Sequence, residues 1–121
     1  MEKELEGWWQ QIQNATGHDQ RSIFVRFCIR LVELKEEGKL SIEEASYKMV
    51  GAILSNDLTN YPECEAIFNI ASIAEVPNEG PNVKLAEEQD KSKNSADKIK
   101  QKEWSKLVDA IEKAKVTLEL I

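Results

Sequence analysis

The sequence predicts an all-α fold, a single-domain bundle of about five helices with a long flexible linker before the last helix. Apolar residues recur at the helical spacing of three and four along most of the chain. Five Gly and three Pro in 121 residues leave few of the turn signals that separate strands. A chain of this length can bury about two thirds of its unfolded surface around one core.

Residues 22–37 are the segment around which we expect the other helices to pack. On a helical projection their polar side chains, Ser22, Arg26, Arg30, Glu33 and Glu37, fall on one narrow stripe. Apolar side chains fill nearly all of the remaining circumference, which is typical of a helix surrounded by other elements. The segment is too short and too charged to cross a bilayer, which needs about 20 mostly apolar residues. We therefore predict the central helix of the bundle here.

The first helix is predicted over residues 3–14, where Leu5, Trp8 and Ile12 share one face. Trp8 and Trp9 are adjacent and so point about 100° apart. One ring is therefore expected in the core and the other at its edge. The alternative is that an exposed tryptophan anchors a binding partner, because this residue is enriched at interface hot spots.

A tight helical hairpin is predicted after the central helix. Gly38 suits the left-handed position that follows a helix C-terminus. Ser41 and Glu44 have the spacing of a capping box, in which each side chain bonds the other's backbone N–H. The third helix should therefore run from residue 42 to about 55, antiparallel to the central one, with Ile42, Ala45, Met49, Ala52 and Ile53 facing inward.

The second half of the chain predicts two more helices and the linker. Pro62 suits the first position of a helix over residues 62–75, and small residues on its face, including Ala66, would allow close packing. Residues 77–95 hold few apolar residues, which favours a flexible linker; a short helix over 84–90 is the alternative. The last helix is predicted over 96–120. Its apolar residues Trp104, Ile111 and Leu118 repeat every seven positions, and its lysines should lie on the remaining faces.

Composition argues against several classes of function. The net charge is −6, and the lysines of the last helix alternate with acids, so no nucleic-acid partner is expected. The acidic N-terminal sequence lacks an apolar signal core, and no membrane partner is expected. Cys28 and Cys64 fall in different predicted helices and are interpreted as reduced thiols, which favours a cytoplasmic protein. His18 is the only histidine, so a metal site has little support, and no cofactor is expected.

The sequence gives little support for an enzyme. It contains no phosphate-binding glycine loop, and no spacing pairs a cysteine with the histidine. Glu33 and Glu36 match the first half of the Glu-x-x-Glu…Glu-x-x-Asp pattern with which all-helical nucleoside-triphosphate pyrophosphohydrolases bind Mg²⁺. The only later match, Glu87 and Asp90, falls at the predicted linker. A Mg²⁺-dependent nucleotide pyrophosphohydrolase is therefore a remote alternative to a non-enzymatic role.

Acidic residues concentrate in the middle of the chain, where residues 33–79 carry ten acids and three bases. The predicted hairpin should bring a set of carboxylates to one end of the bundle. Complementary charge speeds encounter and fixes register, so this end is a candidate docking surface for a basic protein. An ordinary solvated acidic end is the other interpretation. The candidate partner-binding residues are Glu33, Glu36, Glu37, Glu43 and Glu44.

Residues 31–45, Leu-Val-Glu-Leu-Lys-Glu-Glu-Gly-Lys-Leu-Ser-Ile-Glu-Glu-Ala, resemble the helix, short turn and capped acidic helix of immunity proteins of the colicin-D type. Residues 64–68 are similar to the next helix of that family. The resemblance covers about a third of the chain, and the long linker and lysine-rich last helix depart from it. It implies a small acidic inhibitor that neutralises a basic RNA-cutting toxin by placing carboxylates where RNA phosphates would bind.

A competing hypothesis is a self-associating structural or regulatory module. In that case the last helix would pack across a homodimer.

Overall fold

The computed structural model describes the backbone of residues 2–74 and 90–118 and the side chains of residues 3–74 and 100–118. Within these residues it contains five α-helices, which confirms the predicted all-α bundle. A 3-10 turn at Leu58–Asn60 separates the third helix from the fourth. The helices are α1 (Glu2–Asn14), α2 (Gly17–Glu36), α3 (Ile42–Ser55), α4 (Pro62–Ala74) and α5 (Asp90–Thr117).

Helix α2 is the central element, as predicted, and it packs against α1, α3 and α5. It begins at Gly17, five residues before the predicted core segment, after Thr16 in extended conformation. Its fully enclosed side chains are Phe24, Val25, Phe27, Cys28, Leu31 and Leu34. Ile23, Ile29 and Val32 are only half-buried, so α2 is lined by its neighbours but not enclosed on every apolar side.

The predicted hairpin between α2 and α3 is confirmed in detail. Gly38 adopts φ +78°, and its N–H donates to the carbonyl of Lys35 at 3.0 Å while the Lys39 N–H donates to that of Leu34 at 2.9 Å. These two bonds satisfy the last carbonyls of α2 in a Schellman motif. At the start of α3, the Glu44 N–H donates to Ser41 Oγ at 3.1 Å and the Ser41 N–H donates to Glu44 Oε1 at 3.2 Å. The turn is therefore closed by local hydrogen bonds at both helix ends.

The two tryptophans of α1 do not divide between core and edge as predicted, because both are half-buried. Leu5 and Ile12, two turns apart, occupy the line of α1 that faces the core, and the tryptophans flank it on either side. The ring of Trp9 lies over Gly51 of α3, where a Cβ atom would come within 3.6 Å of it.

Helix α4 faces the core with Cys64, Ile67, Ala71 and Ala74. Ala66 is exposed, so its predicted place on the buried face is wrong. The buried residues of α4 are spaced three and four apart, and Ala66 does not lie on the face that they define. Both cysteines are free and buried.

Helix α5 packs along α4 and also contacts α2. The predicted repeat of Trp104, Ile111 and Leu118 is confirmed, since all three are buried together with Leu107 and Ala114. The helix begins at Asp90, six residues before its predicted start at residue 96. Residues 90–95 contain no Gly or Pro, and extending a helix that has already formed costs little free energy per added residue. Residues 77–89 of the predicted linker lie outside the described residues, and so do residues 84–89 of the alternative helix (84–90) and residues 119–120.

Within the described ranges, no helix is long and apolar enough to cross a bilayer.

Candidate functional site

The α2–α3 hairpin carries all five predicted site residues at its solvent-facing end. Side-chain exposure is 56% for Glu33, 61% for Glu36, 47% for Glu37 and 31% for Glu43. Glu44 is also exposed, and its carboxylate is held by the capping box. Local hairpin geometry therefore accounts for the presence of these acids at one end of the molecule.

Four of these carboxylates form ion pairs within the molecule. The pairs are Arg30–Glu33 at 3.8 Å, Lys35–Glu36 at 3.8 Å, Lys39–Glu37 at 3.3 Å and Lys100–Glu43 at 3.7 Å. The Arg21–Glu63 pair between α2 and α4 is much closer, at 2.8 Å. Loose pairs at a solvated surface contribute at most about 1 kcal/mol each. The four carboxylates are thus partly neutralised but remain accessible as hydrogen-bond acceptors.

Helix α5 lies against this acidic end, which the sequence did not predict. The indole Nε1–H of Trp104 donates to Glu36 Oε1 at 3.3 Å, and Lys35 Nζ lies 5.4 Å from the Trp104 ring centroid. The indole N–H of a buried tryptophan usually donates a hydrogen bond, so the predicted burial of Trp104 already indicated that a hydrogen-bond acceptor lies near it. One turn earlier, Lys100 lies beside Glu43. Glu36 and Glu43 are therefore brought together against consecutive turns of α5.

Lys100 is the other unpredicted member of the site. It was expected on a solvated face of the last helix, and that expectation is wrong, because the residue is only 9% exposed. Its Nζ donates a hydrogen bond of 2.7 Å to the carbonyl of Ala74, the last residue of α4, as well as pairing with Glu43. A cation at a helix C-terminus interacts favourably with the helix dipole. Lys100 therefore joins the start of α3 to the end of α4.

Glu33 faces a different neighbour, α1. Arg30 lies between Glu33 and Glu4 of α1 and donates a hydrogen bond to Glu4 through its Nε. That bond lowers the pKa of the Glu4 carboxyl and raises the pKa of Arg30. The acidic end thus has two flanks, one with Glu33 toward α1 and one with Glu36 and Glu43 toward α5.

A second surface, apolar in character, lies on the outer side of α3. Tyr47 is 68% exposed and Leu54 is 61% exposed. With Trp9 of α1 they line a groove of about 500 Å³, which also includes Lys48, Val50, Gly51 and Ser55. Sequence periodicity could have identified Tyr47 and Leu54, since both fall outside the inward face predicted for α3.

No constellation for metal binding is present among the described side chains, where no group of three or more His, Cys, Asp or Glu residues could hold an ion. Glu33 and Glu36 belong to the acidic end, and the second pair of the pyrophosphohydrolase pattern, Glu87 and Asp90, lies outside the described side chains. No protein-family profile matches this chain, and neither a curated protein nor a solved structure gives a significant match.

Proposed function

We propose that this protein is a non-enzymatic protein–protein interaction module whose acidic hairpin end binds a basic partner. The observation that supports this most is the exposure of Glu33, Glu36, Glu37 and Glu43, between 31% and 61%, in spite of their internal ion pairs. Arginine or lysine side chains of a partner could form shorter, charge-assisted hydrogen bonds with these carboxylates than the internal bases do.

The more specific form of the proposal is an inhibitor or immunity protein. The resemblance of residues 31–45 to colicin-D-type immunity proteins motivates it. A basic RNA-cutting partner would present its phosphate-binding lysines and arginines to these carboxylates, which would then exclude RNA from the same positions. A cytoplasmic location belongs to the proposal, and the two free cysteine thiols support it.

The structure dictates which acids a charge-reversal experiment should change. Glu43 pairs with Lys100 and Glu44 completes the capping box, so lysine at either position would disturb the fold. Glu36 accepts the indole hydrogen bond of Trp104 and is excluded for the same reason. The test variant should therefore replace Glu33 and Glu37 by lysine. A control with the same change in net charge replaces Glu6 and Glu65 by lysine; both are also exposed.

Both variants and the parent would be used to capture proteins from the native lysate, with circular dichroism as the check on folding. The captured protein would be identified by mass spectrometry, purified, and titrated calorimetrically at low and high salt. We expect the parent and the control to bind it, the Glu33 and Glu37 variant to lose at least about tenfold in affinity, and salt to weaken binding. Equal affinity for the folded test variant, or an acidic captured protein, would refute the proposal.

An assay of the captured protein on RNA distinguishes the inhibitor form. Cleavage that stops when the parent is added in equimolar amount supports it, and cleavage that continues in the saturated complex contradicts it.

A further inference from the structure

A groove between α4 and α5 shares no residue with the acidic end. Its volume is about 510 Å³, within the range of about 300–1,000 Å³ that is usual for small-molecule sites. Its surface is mostly apolar, and Ala66, Ile70 and Ala110 contribute to it. This cavity, called the α4–α5 groove below, therefore has the size and the apolar lining that suit the hydrophobic part of a small ligand.

Glu63 lines the α4–α5 groove with a carboxylate that is only partly hydrogen-bonded. Its side chain is 8% exposed, so the charged group is largely removed from water. Arg21 Nη1 donates to Oε1 at 2.8 Å, and no described residue donates a hydrogen bond to Oε2. A nearly buried carboxylate oxygen that accepts no hydrogen bond is unfavourable unless water or a ligand supplies the donor. Oε2 is therefore a binding position for a cationic donor group.

The charges that line the α4–α5 groove select a ligand that carries both signs. Besides Glu63 they belong to Lys106, Asp109 and Lys113 of α5, so the lining holds two acids and two bases and attracts neither a simple cation nor a simple anion. Lys106 is paired with Glu103 at 3.3 Å, whereas Lys113 forms no ion pair with a described residue. The groove thus has an acceptor for an ammonium group at Glu63 and a donor for a carboxylate at Lys113.

We propose that the α4–α5 groove binds a small zwitterion with an apolar body, the chemical class of a free apolar amino acid. The ligand ammonium donates to Glu63 Oε2, the ligand carboxylate accepts from Lys113, and the apolar body lies against Ala66 and Ile70. Both polar contacts are charge-assisted hydrogen bonds, which are stronger than neutral ones. The flexible stem of lysine lets its ammonium follow the ligand carboxylate. This site is independent of the docking function proposed for the acidic end.

Calorimetric titration of the full chain with leucine, methionine and phenylalanine tests the ligand class. Each amino acid that binds is then compared with the analogue that lacks its carboxylate and the analogue that lacks its amine; for leucine these are 3-methylbutylamine and 4-methylpentanoate. We expect at least one amino acid to bind, and both of its analogues to bind at least about tenfold more weakly, because each has lost one charge-assisted hydrogen bond. No binding by any of the three amino acids up to about 10 mM, or an analogue that binds as tightly as its parent amino acid, would overturn the proposal.

Substitutions in the protein test the place of binding. Ala66→Trp fills the groove from an exposed position and leaves the Arg21–Glu63 pair intact, and it should weaken binding at least about tenfold. Asn69→Trp is the matched control, since Asn69 is exposed on the same helix and does not line the groove; it should bind like the parent.

Two further substitutions test the polar contacts, with circular dichroism as the check on folding. Glu63→Gln should weaken binding at least about tenfold, and Lys113→Met should weaken binding of the amino acid while leaving that of its carboxylate-free analogue unchanged. Lys102→Met, a change at an exposed lysine of α5 outside the groove, should have no effect. Binding that Ala66→Trp leaves unchanged, that Asn69→Trp weakens equally, or that Lys113→Met does not alter would overturn the proposal, even if Glu63→Gln failed to fold.

Discussion

Replacing Lys100 by methionine should destabilise this protein more than any comparable change to another of its described lysines. Methionine retains most of the buried apolar stem and removes the ammonium group. Two described contacts are lost: the 2.7 Å hydrogen bond to the carbonyl of Ala74 and the ion pair with Glu43 at 3.7 Å. The Ala74 carbonyl ends α4, where no intrahelical donor is available.

The expected loss in the free energy of unfolding follows from these two contacts. A hydrogen bond from a charged donor to a buried acceptor contributes about 1.5–3 kcal/mol, which includes the penalty of leaving the acceptor unsatisfied. Glu43 is 31% exposed and can be hydrated when its cation is removed, so the ion pair should contribute less than about 1 kcal/mol. We therefore expect Lys100→Met to lower the free energy of unfolding by about 2–4 kcal/mol.

Urea unfolding followed by circular dichroism measures this loss. Lys106→Met is the matched control, since Lys106 lies on the same helix, is exposed, and pairs with Glu103 at 3.3 Å; its cost should stay below about 0.5 kcal/mol. A double-mutant cycle with Glu43→Gln separates the ion pair from the hydrogen bond, and the coupling should not exceed about 1 kcal/mol. A loss for Lys100→Met below about 1 kcal/mol, or equal to that of Lys106→Met, would refute the role assigned to Lys100.

Two further predictions concern backbone conformation and buried thiols. Gly7→Ala should raise the free energy of unfolding by about 0.5–1 kcal/mol, because Gly7 lies within α1 and a Cβ atom there would meet nothing within 4 Å. Gly38→Ala should lower the free energy of unfolding by about 1 kcal/mol, because Gly38 has φ +78°. Chemical denaturation in which both substitutions change stability in the same direction would contradict this reasoning. Burial raises the pKa of the Cys64 thiol to about 12 in the folded protein. When the pH rises above about 9, this thiol therefore loses its proton in the unfolded state before it does so in the folded state, and the free energy of unfolding should fall. Urea titrations between pH 8 and 10.5 should show a shallower fall for Cys64→Ala than for the parent, and parallel curves would exclude this contribution.

The parts of the fold that the sequence predicted well depend on local interactions. The Gly38 turn and the Ser41–Glu44 capping box each involve residues within five positions of one another, so their chemistry can be recognised without the tertiary structure. The same locality placed the five carboxylates at one end of the bundle. The start of α5 was missed because residues 90–95 have no apolar face to mark them, although nothing in their composition opposes a helix.

The parts that were missed depend on contacts between distant segments. Glu36 and Trp104, 68 residues apart, are joined by the indole hydrogen bond, and no spacing rule connects them. The half-burial of Trp9 likewise depends on where α3 lies, since the ring of Trp9 lies over Gly51.

For Lys100, the position in the sequence indicates burial, although a lysine would by residue type be expected at the surface. Lys100, Trp104, Leu107 and Ile111 follow the spacing of four, three and four that defines the buried face of α5. A lysine on that stripe is rarely buried without a partner, so its position already indicated a buried acceptor. Only the tertiary structure identifies that acceptor as the end of α4 and places Glu43 beside it. A base that anchors α5 in this way also neutralises part of the acidic end, so the structural role of Lys100 limits how much negative charge the proposed docking surface can offer.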